Sequence, residues 1–139
     1  MSGHAPKRGR GGRVGAGDRG SASVEFALVL PLVLTMALVL VQIGLFVKDQ
    51  LVVEEAARAG ARQAAVTTDD ESARQAAVNA AVGLDPSRLD VTVERDGGGG
   101  DPVSVTVVYH APVAIPIVRW LLPSVVDLSA TASMRQETG

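Results

Sequence analysis

The chain has 139 residues, no cysteine and a formal net charge of −2. That length leaves room for one modest domain and a membrane anchor. The lack of cysteine excludes a disulfide framework and a thiolate metal site. The small net charge hides an asymmetry. Lys7, Arg8, Arg10, Arg13 and Arg19 against Asp18 give residues 1–20 a charge of +4, and Glu25 adds −1. Residues 48–139 carry eight basic and thirteen acidic side chains, a charge of −5.

The N-terminal arm, GRGGRVGAGDRG, has an RGG-like composition, and Gly15-x-Gly17-x-x-Gly20 has the spacing of a dinucleotide fingerprint. Neither match has its context, because no strand precedes the glycines and no βαβ unit surrounds them. A glycine-arginine arm reads as a disordered, basic leader over residues 1–20. No nucleic-acid partner is expected.

After the arm comes Phe26 to Val47, FALVLPLVLTMALVLVQIGLFV, 22 uncharged residues in which only Thr35 and Gln42 are appreciably polar. As a helix this run spans about 33 Å, against about 30 Å of bilayer hydrocarbon. A cleaved secretory signal would have a shorter apolar core and a small-residue cleavage site after it. The run is therefore assigned to a membrane-spanning helix within residues 21–47. The basic arm before it and the acidic segment after it place the N-terminus in the cytoplasm and residues 48–139 outside, by the positive-inside bias.

Beyond the membrane the helix is expected to continue through KDQLVVEEAARAGARQAAV to Val66. Glu54 and Arg58 are spaced four apart with the acid first, the favourable order for an exposed pair. Small residues form two ridges at four-residue spacing, Ala56, Gly60, Ala64 and Ala57, Ala61, Ala65. They suit either a high-propensity alanine helix with one tolerated glycine or a close helix contact of the small-xxx-small kind.

Thr68-x-x-Glu71 has capping-box spacing and opens a second helix near residues 70–82, which Gly83 can terminate. The period then changes from that of a helix to that of a strand. Leu89 to Arg95 and Val103 to Tyr109 alternate apolar and polar residues, with a glycine loop over residues 96–102 between them. A third alternating run, Asp127 to Met134, puts Leu128, Ala130, Ala132 and Met134 on one face. Three such strands make a small antiparallel sheet if a helix covers one face. The outer part of the long helix is the natural cover, so the fold class is α+β. The connection AIPIVRWLLP, residues 114–123, reads as a buried connection or short helix, or else as an interfacial or partner-binding patch around the only tryptophan.

Residues able to do chemistry are few. His4 lies in the arm and His110 at a strand end, neither with carboxylates at metal-ligand spacing. Ser21 and Ser23 have no base visible in the sequence. No catalytic residue, cofactor, metal or small-molecule substrate is expected.

The string RGSASVEFALVLPLV places Glu25 fifth from Ser21 and directly before Phe26 and the apolar helix. A small residue ending a basic leader, followed by such a glutamate, resembles a type IV prepilin. Together with AARAGARQAA in the outer helix and the terminal SATASMRQE, it is similar to the TadE-like family of the Flp (Tad) pilus machinery, whose characteristic part covers about residues 19–61. The resemblance implies a pilin-like fold and a non-enzymatic minor pilin or pseudopilin of the inner membrane. A prepilin peptidase would cut between Gly20 and Ser21, and Glu25 and Phe26 would serve subunit pairing. Pro31 would kink the helix, and Ala56, Gly60 and Ala64 stay the candidates, by their spacing alone, for a small-residue helix contact. Its implied partners are other pilins or pseudopilins and the pilus assembly platform. Residence in the membrane or in the filament stays open, as does the alternative of a signal-anchored extracytoplasmic interaction module unrelated to pili.

Overall fold

A computed structural model describes residues 1–3, 16–97, 100–117, 119–120 and 123–137, with side chains from residue 20 onward within the first helix. In chain order come helix α1 (Ala16–Val66), helix α2 (Asp70–Ala80), a 3-10 turn (Pro86–Arg88) and strands β1 (Leu89–Arg95), β2 (Pro102–Pro112) and β3 (Val125–Arg135). The chain divides into two compact units, Met1–Met36 and Ala37–Gly139.

In the first unit α1 begins at Ala16, ahead of the expected start between Ser21 and Phe26. The apolar side chains that follow Glu25 are solvent-facing, among them Phe26, Leu28, Leu32 and Met36. Pro31 has no N–H, so the carbonyl of Ala27 loses its usual helical donor. The helix nevertheless runs through it, and the Thr35 hydroxyl donates to the Pro31 carbonyl at 2.8 Å. Among the described residues α1 is the one helix long and apolar enough to cross a membrane, with a mean hydropathy of 2.6 over its most apolar stretch.

The second unit holds the expected three-stranded antiparallel sheet, in the order β1-β2-β3. Its registers pair Leu89 with Tyr109 and Val91 with Val107 on one side, and Val107 with Ala130 and Tyr109 with Leu128 on the other. Because side chains alternate across a strand, Val103, Val105, Val107, Tyr109 and Ala111 of β2 share one face, and all five are buried. Leu89, Val91 and Val93 of β1 and Leu128, Ala130, Ala132 and Met134 of β3 flank them, half-buried. Covering this face are Val53, Ala56, Ala57, Ala61, Ala64 and Ala65 of α1 with Ala73 and Ala77 of α2. Alanine buries little area, so this core is stabilised by close approach of backbones as much as by large side chains.

Two local signals resolve differently from their sequence reading. The N-cap of α2 is Asp69, not Thr68: its carboxylate accepts the N–H groups of Glu71 and Ser72, each at 3.2 Å. A carboxylate can accept from two orphan amides at once and favours the positive end of the helix, which a threonine hydroxyl cannot match. At the far end α2 stops at Ala80, and Gly83 serves the following turn with φ of +86°. Both β2 and β3 also outrun their alternating patterns, because the pairing continues to Pro102↔Arg135 and Pro112↔Val125.

Candidate functional site

Gly20, Ser21 and Glu25 all lie on α1 and are exposed. A Cβ added at Gly20 would meet nothing within 4 Å. The Gly20–Ser21 bond thus sits in the opening turns of a helix, with open space around it. Lys7, Arg8, Arg10 and Arg13 lie outside the described residues, as does the side chain of Arg19.

The small-residue ridges are used inside the second unit. Ala56, Gly60 and Ala64 are buried, and so are Ala57, Ala61 and Ala65. A Cβ at Gly60 would stand 2.9 Å from Val105 Cγ1, 3.1 Å from Ala77 Cβ and 3.3 Å from the Ala73 carbonyl oxygen. Glycine is therefore required by space: α2 and the centre of the sheet both press on α1 at this point. On the outer face of α1 the expected ion pair forms, with Arg58 at 3.3 Å from Glu54 and at 3.7 Å from Glu55.

Gln42 was legible only as a polar interruption of the apolar run. It is 1% exposed, and its Oε1 accepts the N–H groups of Ala114 at 3.1 Å and Ile115 at 3.3 Å. The β2–β3 connection is therefore anchored to α1 within the apolar stretch. At its base Val113 N–H donates to the Ser124 carbonyl at 3.2 Å, and Val113 is buried. Pro116, Ile117, Arg119 and Trp120 are exposed turn and not helix, with Ile117 at 52% and Trp120 at 78% exposure.

Two polar constellations had no sequence signal. Arg95 ends β1 with its guanidinium turned to the α1–α2 junction. It donates to Asp70 Oδ1 at 2.8 Å, to the Ala64 carbonyl at 3.1 Å and to the Thr67 carbonyl at 3.0 Å. One side chain thus satisfies carbonyls at the end of α1 and holds the first residue of α2. On the solvent face of the sheet His110 lies between Asp127, 2.6 Å from Nδ1, and Asp90, 2.9 Å from Nε2. These carboxylates come from β3 and β1, so only the strand registers bring them to the histidine. Hydrogen bonds to Asp127 and then to Asp90 raise the His110 pKa above its ordinary 6.5. Both ring nitrogens are engaged, and among the described residues no group of three or more His, Cys, Asp or Glu is arranged to hold a metal.

A groove of about 320 Å³ lies between α1 and β3, bordered by Gln50, Glu54, Arg58, Ser129 and Thr131. Gln50 donates across it to the Ser129 carbonyl at 3.0 Å, and its charges are already paired with each other.

Residues 20–62 match the family model described as TadE-like protein. No curated protein and no solved structure matches the chain. The matched segment lies wholly within α1. It opens at Gly20, takes in Glu25, the apolar run and Pro31, and ends beyond Gly60 on the small-residue ridges. Over residues 20–62 this chain is similar to that family.

Proposed function

We propose that the chain is a membrane-anchored, pilin-like component of Flp/Tad pilus assembly or a related secretion system, processed by a prepilin peptidase between Gly20 and Ser21. The TadE-like match over residues 20–62 carries this reading, because it starts at the glycine of the candidate junction and covers the apolar helix behind it. Residues 1–20 act as the topogenic leader, residues 21–47 as the inner-membrane anchor, and residues 48–139 as an extracytoplasmic domain that binds partners and carries no catalysis.

Physical chemistry gives the junction residues distinct roles. Glycine costs a helix interior about 1 kcal/mol relative to alanine, so Gly20 weakens α1 locally where a peptidase needs extended backbone. Cutting there leaves Ser21 with a free ammonium. A carboxylate at the edge of the hydrocarbon is tolerated when paired, and the ammonium of a neighbouring subunit is a partner of suitable size for Glu25. Such a pair sets the register between neighbouring helices, with Phe26 packing beside it. Pro31, lacking one helical hydrogen bond, supplies a point of easy bending.

The test scores processing by mass and piliation by microscopy. Membrane-extracted protein should lose residues 1–20 only when the peptidase is present, and Gly20→Leu should block the cut. Glu25→Gln should still insert and be cut, yet assemble poorly. Breaking a buried pair costs about 3–5 kcal/mol, lowered here by the nearby headgroups. Normal pili with Glu25→Gln would remove the pairing role, and an unchanged mass beside an active peptidase would remove the processing. A reporter fused after Gly139 should read as outside, and an inside signal would reverse the topology.

A further inference from the structure

We infer that the β2–β3 connection, through its described residues 113–117 and 119–120, is a second membrane contact, seated in the interface of the leaflet from which α1 emerges. The inference rests on reading residues 26–47 as the membrane span.

Depth is the first argument. Gln42 holds the amides of Ala114 and Ile115, and it lies five residues before Val47, the end of the apolar run. At 1.5 Å per residue that is about 7–8 Å inside the boundary. Interfacial segments bury their apolar side about 5–10 Å deep. The connection is therefore tethered at the depth such segments occupy.

Backbone polarity is the second argument. Where water is scarce, an amide without an acceptor costs several kcal/mol. Between Pro112 and Pro116 each amide is accounted for: the two prolines have no N–H, Val113 donates to Ser124, and Ala114 and Ile115 donate to Gln42. Arg119 N–H donates to the Pro116 carbonyl at 3.2 Å. A connection exposed to water has no need of a buried glutamine to satisfy its amides.

The side chains supply the third argument. Ile117 and Trp120 are exposed large apolar groups on the connection, and Val41, Ile43, Leu45 and Val47 are exposed on the stretch of α1 around Gln42. The occupant that covers the helix side chains, a bilayer, is continuous with the one available to the connection. Tryptophan is favoured at the headgroup level. The exposed Arg119 can keep its guanidinium among lipid phosphates while its stem lies along apolar surface.

Trp120 is the only tryptophan in the chain, so its fluorescence reports this segment alone. The full chain is reconstituted in phosphatidylcholine vesicles containing lipids brominated either near the glycerol end or near the methyl end of the acyl chains. As an independent probe, Leu34→Cys carries an environment-sensitive dye in a chain with no other cysteine. The expected result is a dye in hydrocarbon and Trp120 quenched by the shallow bromines, about twofold more strongly than by the deep ones, as an interfacial depth requires. A dye in hydrocarbon with Trp120 unquenched would overturn the second contact, leaving the connection free for a protein partner. A dye reporting water would overturn the membrane span itself and this inference with it.

Discussion

Gly60→Ala sets two known effects against each other at one atom. In an unconstrained helix the change stabilises by about 1 kcal/mol, because alanine loses less backbone entropy on folding. In this helix the new methyl would stand 2.9 Å from Val105 Cγ1, 3.1 Å from Ala77 Cβ and 3.3 Å from the Ala73 carbonyl oxygen. Val105 is fully buried in the central strand, and the other two atoms belong to α2, so no flexible side-chain end can yield. Overpacking a well-filled core costs about 1–3 kcal/mol. With three neighbours crowded at once the upper part of that range applies, and the net change is a loss of about 1–2 kcal/mol. Gly44→Ala is the matched control, on the same helix with nothing within 4 Å of the new methyl. Hydrogen exchange of the β2 amides, measured on the full chain in detergent micelles, should run about 5–30-fold faster in Gly60→Ala. Gly44→Ala should leave it unchanged or slower. If Gly60→Ala protects β2 as well as Gly44→Ala does, the close approach of α1, α2 and β2 is not what glycine is there for.

Three further outcomes follow from the polar contacts. Arg95→Ala removes three charge-assisted hydrogen bonds, each worth about 1.5–3 kcal/mol when buried. Since Asp70 is 42% exposed, the expected total is only about 2–3 kcal/mol by urea unfolding; a change within error would dismiss the junction. Asp69→Ala should cost about 1 kcal/mol and Thr68→Ala no more than a few tenths, with the reverse order restoring Thr68 as the cap. The raised pKa of His110 means that its tie to Asp127 and Asp90 stabilises fully below 6.5 and is lost as pH rises through the higher folded-state value. The melting-temperature gap between the native chain and His110→Gln should therefore narrow from about pH 5 to about pH 9, and a constant or widening gap would refute the tie.

The elements were legible wherever one physical rule dominates. The uncharged apolar run located α1, the capping spacing located α2, and alternation of apolar and polar residues located all three strands, because burying one face of a strand leaves a single choice of spacing. Boundaries were less legible where pairing, not pattern, decides them: β2 extends to Pro112 and β3 back to Val125 because the ladder continues past the end of the alternation. The cap of α2 was misplaced by one residue because Thr67, Thr68, Asp69 and Asp70 all offer side-chain oxygens, and only the backbone path selects Asp69. The Arg95 junction and the His110 tie were not legible at all. Each joins residues that are distant in the chain, as in the 31 positions between Ala64 and Arg95, and local spacing carries no trace of such a meeting.

The ridge Ala56, Gly60, Ala64 has the spacing by which helices of separate subunits pack, yet in this chain its own α2 and β2 occupy it. Gly60 has no free face left, because the space a second backbone would need is filled by Ala73, Ala77 and Val105. The parallel ridge of Ala57, Ala61 and Ala65 is buried as well. The ridges are closed to a second helix, whereas the apolar part of α1 from Phe26 to Val47 is open, with Leu28, Leu32, Met36 and Leu40 exposed. Without a hydrophobic driving force inside lipid, packing of such side chains is weak and poorly directional. In the function proposed above, a charged pair at Glu25 would supply the register that an apolar surface cannot.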